Sequence, residues 1–152
     1  MHALMHNIGA YIKAVIASVV TAVTAAGSGD NTEVDGVWID RMGYNSLSVL
    51  IHYQATLAAT KTISLTANLQ DASDSSGTGA ADYGDAYAKT VQATGAGGGS
   101  TEKGVLKLDF DLKTADRYVR VQFTPDLSAS GTDTASLVAS IVLGGADSLP
   151  AA

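Results

Sequence analysis

The stretch IDRMGYNSLSVLIHYQATL, residues Ile39–Leu57, decides the fold of this chain. From Ser46 to Gln54 the side chains alternate between apolar and polar, and a period of two is the pattern of a β-strand with one buried and one wet face. We therefore expect a half-buried strand. Its apolar side is formed by Leu47, Val49, Ile51 and Tyr53, and its polar side by Ser46, Ser48, His52 and Gln54.

An acid–base pair and a glycine turn introduce this strand. We expect Asp40 and Arg41 to tie the turn into the domain. Gly43 and Tyr44 are expected to redirect the chain, since glycine supplies turn conformations that other residues avoid. The four residues are interpreted as a structural motif and not as a site for chemistry.

The same alternation recurs along the rest of the chain, and between the runs lie connections rich in Gly, Ser and Asp that suit turns. Short strands separated by such turn-rich connections, with no long helix between them, predict an all-β fold. The expected architecture is an antiparallel β-sandwich of jelly-roll-like type. The further strands are expected at Thr62–Gln70, Val105–Lys113, Arg117–Phe123 and Ser136–Gly144, with a weaker candidate at Ala86–Ala93.

The N-terminal segment permits two structures. Apolar residues between Ile8 and Val23 fall at helical spacing, which allows an amphipathic helix. The segment is also dense in Val, Ile and Thr, which lose side-chain freedom in helices and suit sheets. We favour strand, with Ile16–Val20 and Thr21–Thr24 as two-sided buried strand. Residues 1–12 are expected to form an extended arm, and residues 13–152 a single sandwich domain.

Composition limits the classes of function. A net charge of −6 disfavours nucleic acid as a partner, because phosphate contacts need a basic face. The apolar run at residues 8–26 is interrupted by Lys13, so we expect no membrane partner. Charged residues make up 16% of the chain, against about 25% in an average domain. Such a low fraction of charged residues favours a protein whose surface is covered in an assembly.

Candidates for chemistry are weak. His2 and His6 are four residues apart, as zinc ligands sometimes are, but no acidic residue nearby completes a set. There is no cysteine to supply a thiolate. The loop from Asp71 to Asp85 is rich in oxygen ligands but lacks the order of a calcium loop. We expect no catalytic residue, no metal and no cofactor, and therefore not an enzyme.

One strand face is a candidate interface. Tyr118, Arg120 and Gln122 are spaced two apart in DRYVRVQF and project together. Tyrosine and arginine are enriched at protein interfaces because they combine contact area with directional hydrogen bonds. An exposed strand face with cross-strand charge pairs is the alternative interpretation.

Five segments in one order carry a resemblance: MHALMHNI, VDGVWIDRMGYNSLSVLI, LTANLQDASDSSG, DRYVRVQF and ASIVLGGADSLPA. From Val34 onward the chain resembles a family of small proteins encoded in tailed-bacteriophage structural modules, near the major capsid protein. That family has an LDR-x-GY-x-S opening, an LQ-S-D-G loop, a KRYVRV strand and a G-x-P-x-x-P tail. Here the loop is longer, and the tail GGADSLPAA keeps one proline.

The resemblance implies a head decoration or cement protein, located on the outer surface of the virion head and in the host cytoplasm during assembly. The implied partners are the major capsid protein and further copies of the chain, as a dimer or trimer. The arm would then contact the capsid or a neighbouring copy. Its candidate interface residues are His2, Leu4, Met5, His6, Ile8 and Tyr11.

Two other functions stay open. One is a tail-tube or baseplate-associated virion β-sandwich, which would assemble into rings. The other is a carbohydrate-binding module, which would display an aromatic platform. Trp38 is the single tryptophan, and we expect it to be packed and not displayed.

Overall fold

The computed structural model describes residues 7–129 and 131–151, and this part of the chain is built almost entirely from β-strands. Its only helical residues form one 3-10 turn, Ile8–Ala10. The ten strands are β1 Lys13–Ile16, β2 Thr21–Thr24, β3 Val34–Asp35, β4 Ile39–Asp40, β5 Tyr44–Leu57, β6 Thr62–Ala72, β7 Ala81–Thr94, β8 Ser100–Asp111, β9 Tyr118–Leu127 and β10 Thr134–Ala146.

The strands form two antiparallel sheets. In the front sheet β1 and β2 lie in succession beside β10, followed by β5 and β8. In the back sheet β3 and β4 lie in succession beside β9, followed by β6 and β7. Therefore β1 and β2 pair with β10, β3 and β4 pair with β9, and β6 pairs with β7. This nested pairing is the jelly-roll order, and the predicted antiparallel sandwich is confirmed.

The inward faces of both sheets form one apolar core. In β5 the expected residues Leu47, Val49 and Ile51 are buried. Tyr53, at the end of the same row, is half-buried and donates a hydrogen bond from its hydroxyl to the carbonyl of Gln92 at 3.1 Å. A strand that buries one face in this way stabilises the sheet mainly through the apolar area that it removes from water.

The motif before β5 joins this corner of the sandwich to the start of β9. Asp40 accepts hydrogen bonds from the guanidinium of Arg117, at 2.6 Å from Nη2. Arg41 donates to the main-chain carbonyls of Ala115 and Asp116. Gly43 has φ +85°, a left-handed conformation that glycine adopts without strain, and the residue after it enters the core. The four motif residues therefore lie in the framework.

The N-terminal segment is strand, as favoured, because its Val, Ile and Thr side chains suit a pleated edge. The expectation of two-sided burial is wrong, since Ile16 and Val20 are 72% and 69% exposed. The segment is an interrupted edge strand, and the N–H groups of Ala17 and Ser18 both donate to the carbonyl of Ala139. Two residues opposite one form a bulge that ends the pairing of β1.

The predicted arm is only partly described. Residues 1–6, with His2, Leu4, Met5 and His6, lie outside the described residues. Ile8 is exposed, Tyr11 is half-buried, and the carbonyl of Ala10 accepts a hydrogen bond from the N–H of Ala151 at 2.9 Å. The division into an arm and a domain at residue 12 stays a prediction. In the described chain no helix is long and apolar enough to cross a membrane.

Replacing Phe123 with alanine tests the core. The phenyl ring is 1% exposed, so its removal leaves a cavity that the two sheets cannot close. We expect the free energy of unfolding to fall by about 3–5 kcal/mol. Urea denaturation measures this change. Val91→Ala, at a 53% exposed side chain, is the control and should change stability by less than about 0.5 kcal/mol.

Replacing Asp40 with asparagine tests how much the ionic contact between Asp40 and Arg117 contributes to stability. The hydrogen bond from Arg117 is the main cause that lowers the pKa of Asp40 below its ordinary value of 3.8. A lowered folded-state pKa stabilises the fold above the unfolded value, and this contribution is lost as the pH falls through the folded pKa. Asp40→Asn should therefore lower Tm at neutral pH, by a margin that shrinks as the pH falls below 3.8.

Thermal melts across this pH range measure that margin. Asp85→Asn, at an exposed acidic residue of β7, is the matched control. A loss of Tm that does not change with pH would contradict an ionic role for Asp40.

Candidate interaction surfaces

The outer face of the front sheet is nearly free of charge. Along β1, β2, β10 and β5, none of its outward side chains is Asp, Glu, Lys or Arg. Antiparallel sheets with a wet face place polar residues outward, and here these are Ser, Thr, His and Gln without a charged residue. The outward residues are Ala14, Ile16, Ala22, Thr24, Thr134, Ser136, Val138, Ser140, Val142, Gly144, Ser46, Ser48, Leu50, His52, Gln54 and Thr56.

Apolar side chains form a patch across the middle of this face. The cross-strand register places Val138, His52 and Val105 in one row, and Val20 lines the same shallow depression of about 590 Å³. Val105 is 50% exposed. Exposed apolar side chains grouped on one sheet face are typical of a protein–protein contact. The front patch, as we name it, comprises Ile16, Val20, Leu50, Val105, Val138 and Val142.

Among the outward side chains of the front sheet, charge is confined to the edge strand β8, where it is ordered along the strand. Lys103 and Lys107 occupy one half of its outward face, and Asp109 and Asp111 the other half. Lys107 Nζ lies 2.9 Å from an oxygen of Asp109. The pKa of Asp109 is lowered, first by the hydrogen bond from the Ser48 hydroxyl and then by Lys107. The strand thus carries a positive end and a negative end.

The outer face of the back sheet holds a network of amides and carboxylates. Gln122, only 6% exposed, donates to Glu33 and Asp35 and accepts from the amide of Asn68 at 3.0 Å. Asn68 also donates to Asp82 at 2.8 Å. Each amide is fixed by partners on neighbouring strands, so these side chains are rigidly held. They line a groove of about 500 Å³.

Arg120 is the cation of this back-face network. Its Nε donates to Gln70 at 2.9 Å, and Nη1 lies 3.4 Å from Asp35. Its guanidinium also lies 4.7 Å from the ring centre of Trp38. Gly77 packs against the same indole, where a Cβ would come within 2.8 Å of Nε1, so only glycine fits. Trp38 is therefore packed between elements and is not a free aromatic platform.

The structure brings the three predicted residues of β9 to one face and gives each of them contacts within the chain. Arg120 and Gln122 are held by internal hydrogen bonds. Tyr118 is half-buried, with the guanidinium of Arg117 at 5.3 Å from its ring centre. Whether they form an interface stays a prediction.

Sequence reasoning did not find the front patch. A signal was present, because Leu50 occupies a polar position in the alternation of β5. Val105, opposite His52 on the next strand, is likewise an apolar residue at an outward position. Neither residue stands out until the register places it beside Val138. The patch is assembled from strands far apart in the chain, so no local sequence window contains it.

The aspartate-rich loop between β6 and β7 is organised by Asp74. Its carboxylate accepts hydrogen bonds from the N–H groups of Ser76 and Thr78, at 2.9 and 3.1 Å. Hydrogen bonds from Thr78 are the main cause that lowers the pKa of Asp74 to about 2. Among the described residues no three His, Asp or Glu side chains are grouped as a metal site would require.

No protein-family model matches the chain, and no curated protein matches it in sequence. Three solved structures show its similarities. The structure of infectious bursal disease virus, Gx strain, has 10% identity over 91% of this chain and 35% of that chain, with a TM-score of 0.46. The VP2 subviral particle of infectious bursal disease virus has 12% identity over 90% of this chain and 32% of that chain, with a TM-score of 0.48.

Dimeric latent PorU from Porphyromonas gingivalis has 11% identity over 89% of this chain and 13% of that chain, with a TM-score of 0.43. The present chain spans about a third of the length of the two viral chains. The identities and TM-scores are low, so these similarities carry no argument. The jelly-roll assignment rests on the strand order of this chain.

Replacing Gln122 with glutamate tests the back-face network. The substitution keeps the shape but turns two donated hydrogen bonds into contacts between carboxylates, because Glu33 and Asp35 are acceptors. We expect the free energy of unfolding to fall by about 1–3 kcal/mol at neutral pH. Urea denaturation at neutral and acid pH measures the effect, which should shrink as the carboxylates protonate.

Val91→Glu is the control, since it adds the same charge at a 53% exposed side chain of β7 in the back sheet. Its effect should stay within about 0.5 kcal/mol. Equal losses of stability in the two variants would show that the network around Gln122 contributes nothing specific.

Proposed function

We propose that this protein is a structural virion protein that binds the outside of an assembled phage capsid and stabilises its lattice. One observation carries the proposal: a jelly-roll sandwich exposes a sheet face that has apolar residues at its centre and charge only at one edge. A face of this kind is stable in water but gains free energy when another protein surface covers it. The proposal is therefore a protein that works within an assembly.

Capsid binding would stabilise the lattice by mass action. A ligand that binds only the assembled form shifts the equilibrium toward assembly by the free energy of binding. The N-terminal arm, residues 1–12, is the proposed capsid contact. It precedes β1 at the edge of the front sheet, and its described residues, 7–12, belong to no strand.

The sequence resemblance supports the same function. Two of the segments that resemble phage decoration proteins are the motif from Asp40 to Tyr44 and the strand around Arg120. In the structure the motif belongs to the framework and the strand to the back-face network.

Binding to purified capsid shells tests the proposal. The full chain should sediment with assembled phage shells that lack a decoration protein, and it should raise the temperature at which those shells disassemble. Deleting residues 1–12 should abolish shell binding, because the arm makes the contact, while circular dichroism shows the sandwich still folded.

Two controls define the result. Unassembled capsid protein should bind weakly or not at all, because the contact spans subunits of the lattice. Asp85→Asn should bind shells like the unmodified chain, since this exposed residue of β7 lies in the back sheet. Unchanged binding after deletion of residues 1–12 would disprove the role of the arm, and no binding to any shell would disprove the function.

A further inference from the structure

We propose that two copies of this chain pack their front sheets face to face, about a two-fold axis that lies in the interface and runs perpendicular to the strands. The occupant of the front patch is thus a second copy of the same protein. This interface goes beyond the proposed function, because it names what covers the patch and how the two copies are oriented.

The charge distribution selects this face for self-association. Each copy has a net charge of −6, so two copies repel each other through most of their surfaces. The back-face network sets three carboxylates, Glu33, Asp35 and Asp82, against one cation, Arg120, and would meet its own copy with repulsion. The face formed by β1, β2, β10 and β5 has no carboxylate, so it is where an acidic chain can approach itself.

The order of charges on β8 selects the axis. A two-fold axis perpendicular to the strands places β8 of one copy antiparallel over β8 of the other. An axis that crosses β8 between Lys107 and Asp109 then places Lys107 of each copy over Asp109 of the other. This arrangement is self-complementary, as an isologous interface requires. The contact between Lys107 and Asp109 within each copy becomes part of a larger network of alternating charges.

The other in-plane axis is unfavourable. An axis parallel to the strands would place β8 over the opposite edge of the partner's front sheet, where Ile16 and Val20 lie. Lysine and aspartate side chains would then lose water without gaining a partner, which is costly for charged groups. Perpendicular packing avoids this for Lys107 and Asp109, because β8 lies over β8 of the partner.

The same axis places part of the front patch at the centre of the interface. It passes between the row that contains Leu50 and Lys107 and the row that contains Ser48 and Asp109. Ile16 belongs to the first of these rows and Val142 to the second, so both lie next to the axis. Apolar residues at the centre with charges at one rim is the usual arrangement of a stable interface.

The size of the face is sufficient. Four strands spaced about 4.8 Å apart, each with about ten residues rising about 3.4 Å, give a flat area of roughly 650 Å². Projecting side chains make the accessible area larger. A standard interface buries about 800 Å² of accessible surface on each partner. The front sheet alone therefore supplies an interface of the size that stable dimers use.

Such a dimer has a consequence that rests on the proposed function. Because β1 lies at the edge of the front sheet, both N-terminal segments leave from the rim of the dimer interface. One dimer would present two arms to the shell, and the second contact would form at a high effective concentration. Tight shell binding could then arise from two weak arms.

Sedimentation velocity of the full chain tests the interface. The unmodified protein should sediment as a dimer that dissociates on dilution. Val138→Asp places a carboxylate on the front patch and should give a monomer. Val91→Asp adds the same charge to an exposed valine in β7 of the back sheet and should leave the dimer intact.

Charge exchange tests the axis. One variant carries Lys103→Glu with Lys107→Glu, and a second carries Asp109→Lys with Asp111→Lys. Each alone should sediment as a monomer, because β8 then opposes like charges. Mixing the two should restore a dimer that contains one copy of each, since residue 107 of each copy then lies over a residue 109 of opposite charge. Circular dichroism checks that both variants are folded.

The outcomes separate this interface from the proposed function. A monomeric unmodified chain at all concentrations would overturn the interface, even if it binds shells. Dimers that persist in Val138→Asp would overturn the choice of face, and failure of the mixed variants to dimerise would overturn the axis. If the dimer forms as described but does not bind shells, the interface stands and the proposed function fails.

Discussion

The antiparallel pairing of β5 with β10 is the constraint on which the rest of the structure depends. It runs in register from Tyr44 opposite Ala146 to Thr56 opposite Thr134. Side chains in a strand alternate between faces, so a slip of one residue would expose the whole apolar row of β5. Once this register is set, β1 and β2 can pair only on the free side of β10, and β8 only on the free side of β5.

Strand pairing also determines the character of the two outer faces. On the front sheet it aligns uncharged rows from distant parts of the chain and gathers the front patch. On the back sheet, pairing of β9 with β6 places Gln122 beside Asn68 and Arg120 beside Gln70, so polar side chains bind one another. The molecule therefore has one face whose hydrogen bonds are largely internal and one face suited to being covered.

Much of the fold could be predicted because its signals are local. The alternation in Ser46–Gln54 and Thr62–Gln70 reveals a strand and its buried side within a few residues. The strand nature of the N-terminal segment followed from its β-branched residues. Its exposure could not be predicted, because an edge strand and a buried strand can have the same composition. The edge position follows only from the pairing of β1 with β10.

The candidate surfaces divide in the same way. The sequence by itself determined the all-β class, the core rows and the role of Asp40 to Tyr44 as framework, because period and turn chemistry act between near neighbours. Only the tertiary structure decided that Gln122 is buried among acceptors and that Leu50, Val138 and Val105 share one face. Those contacts join residues far apart in the chain, and their register comes from the packing of both sheets and not from any local pattern.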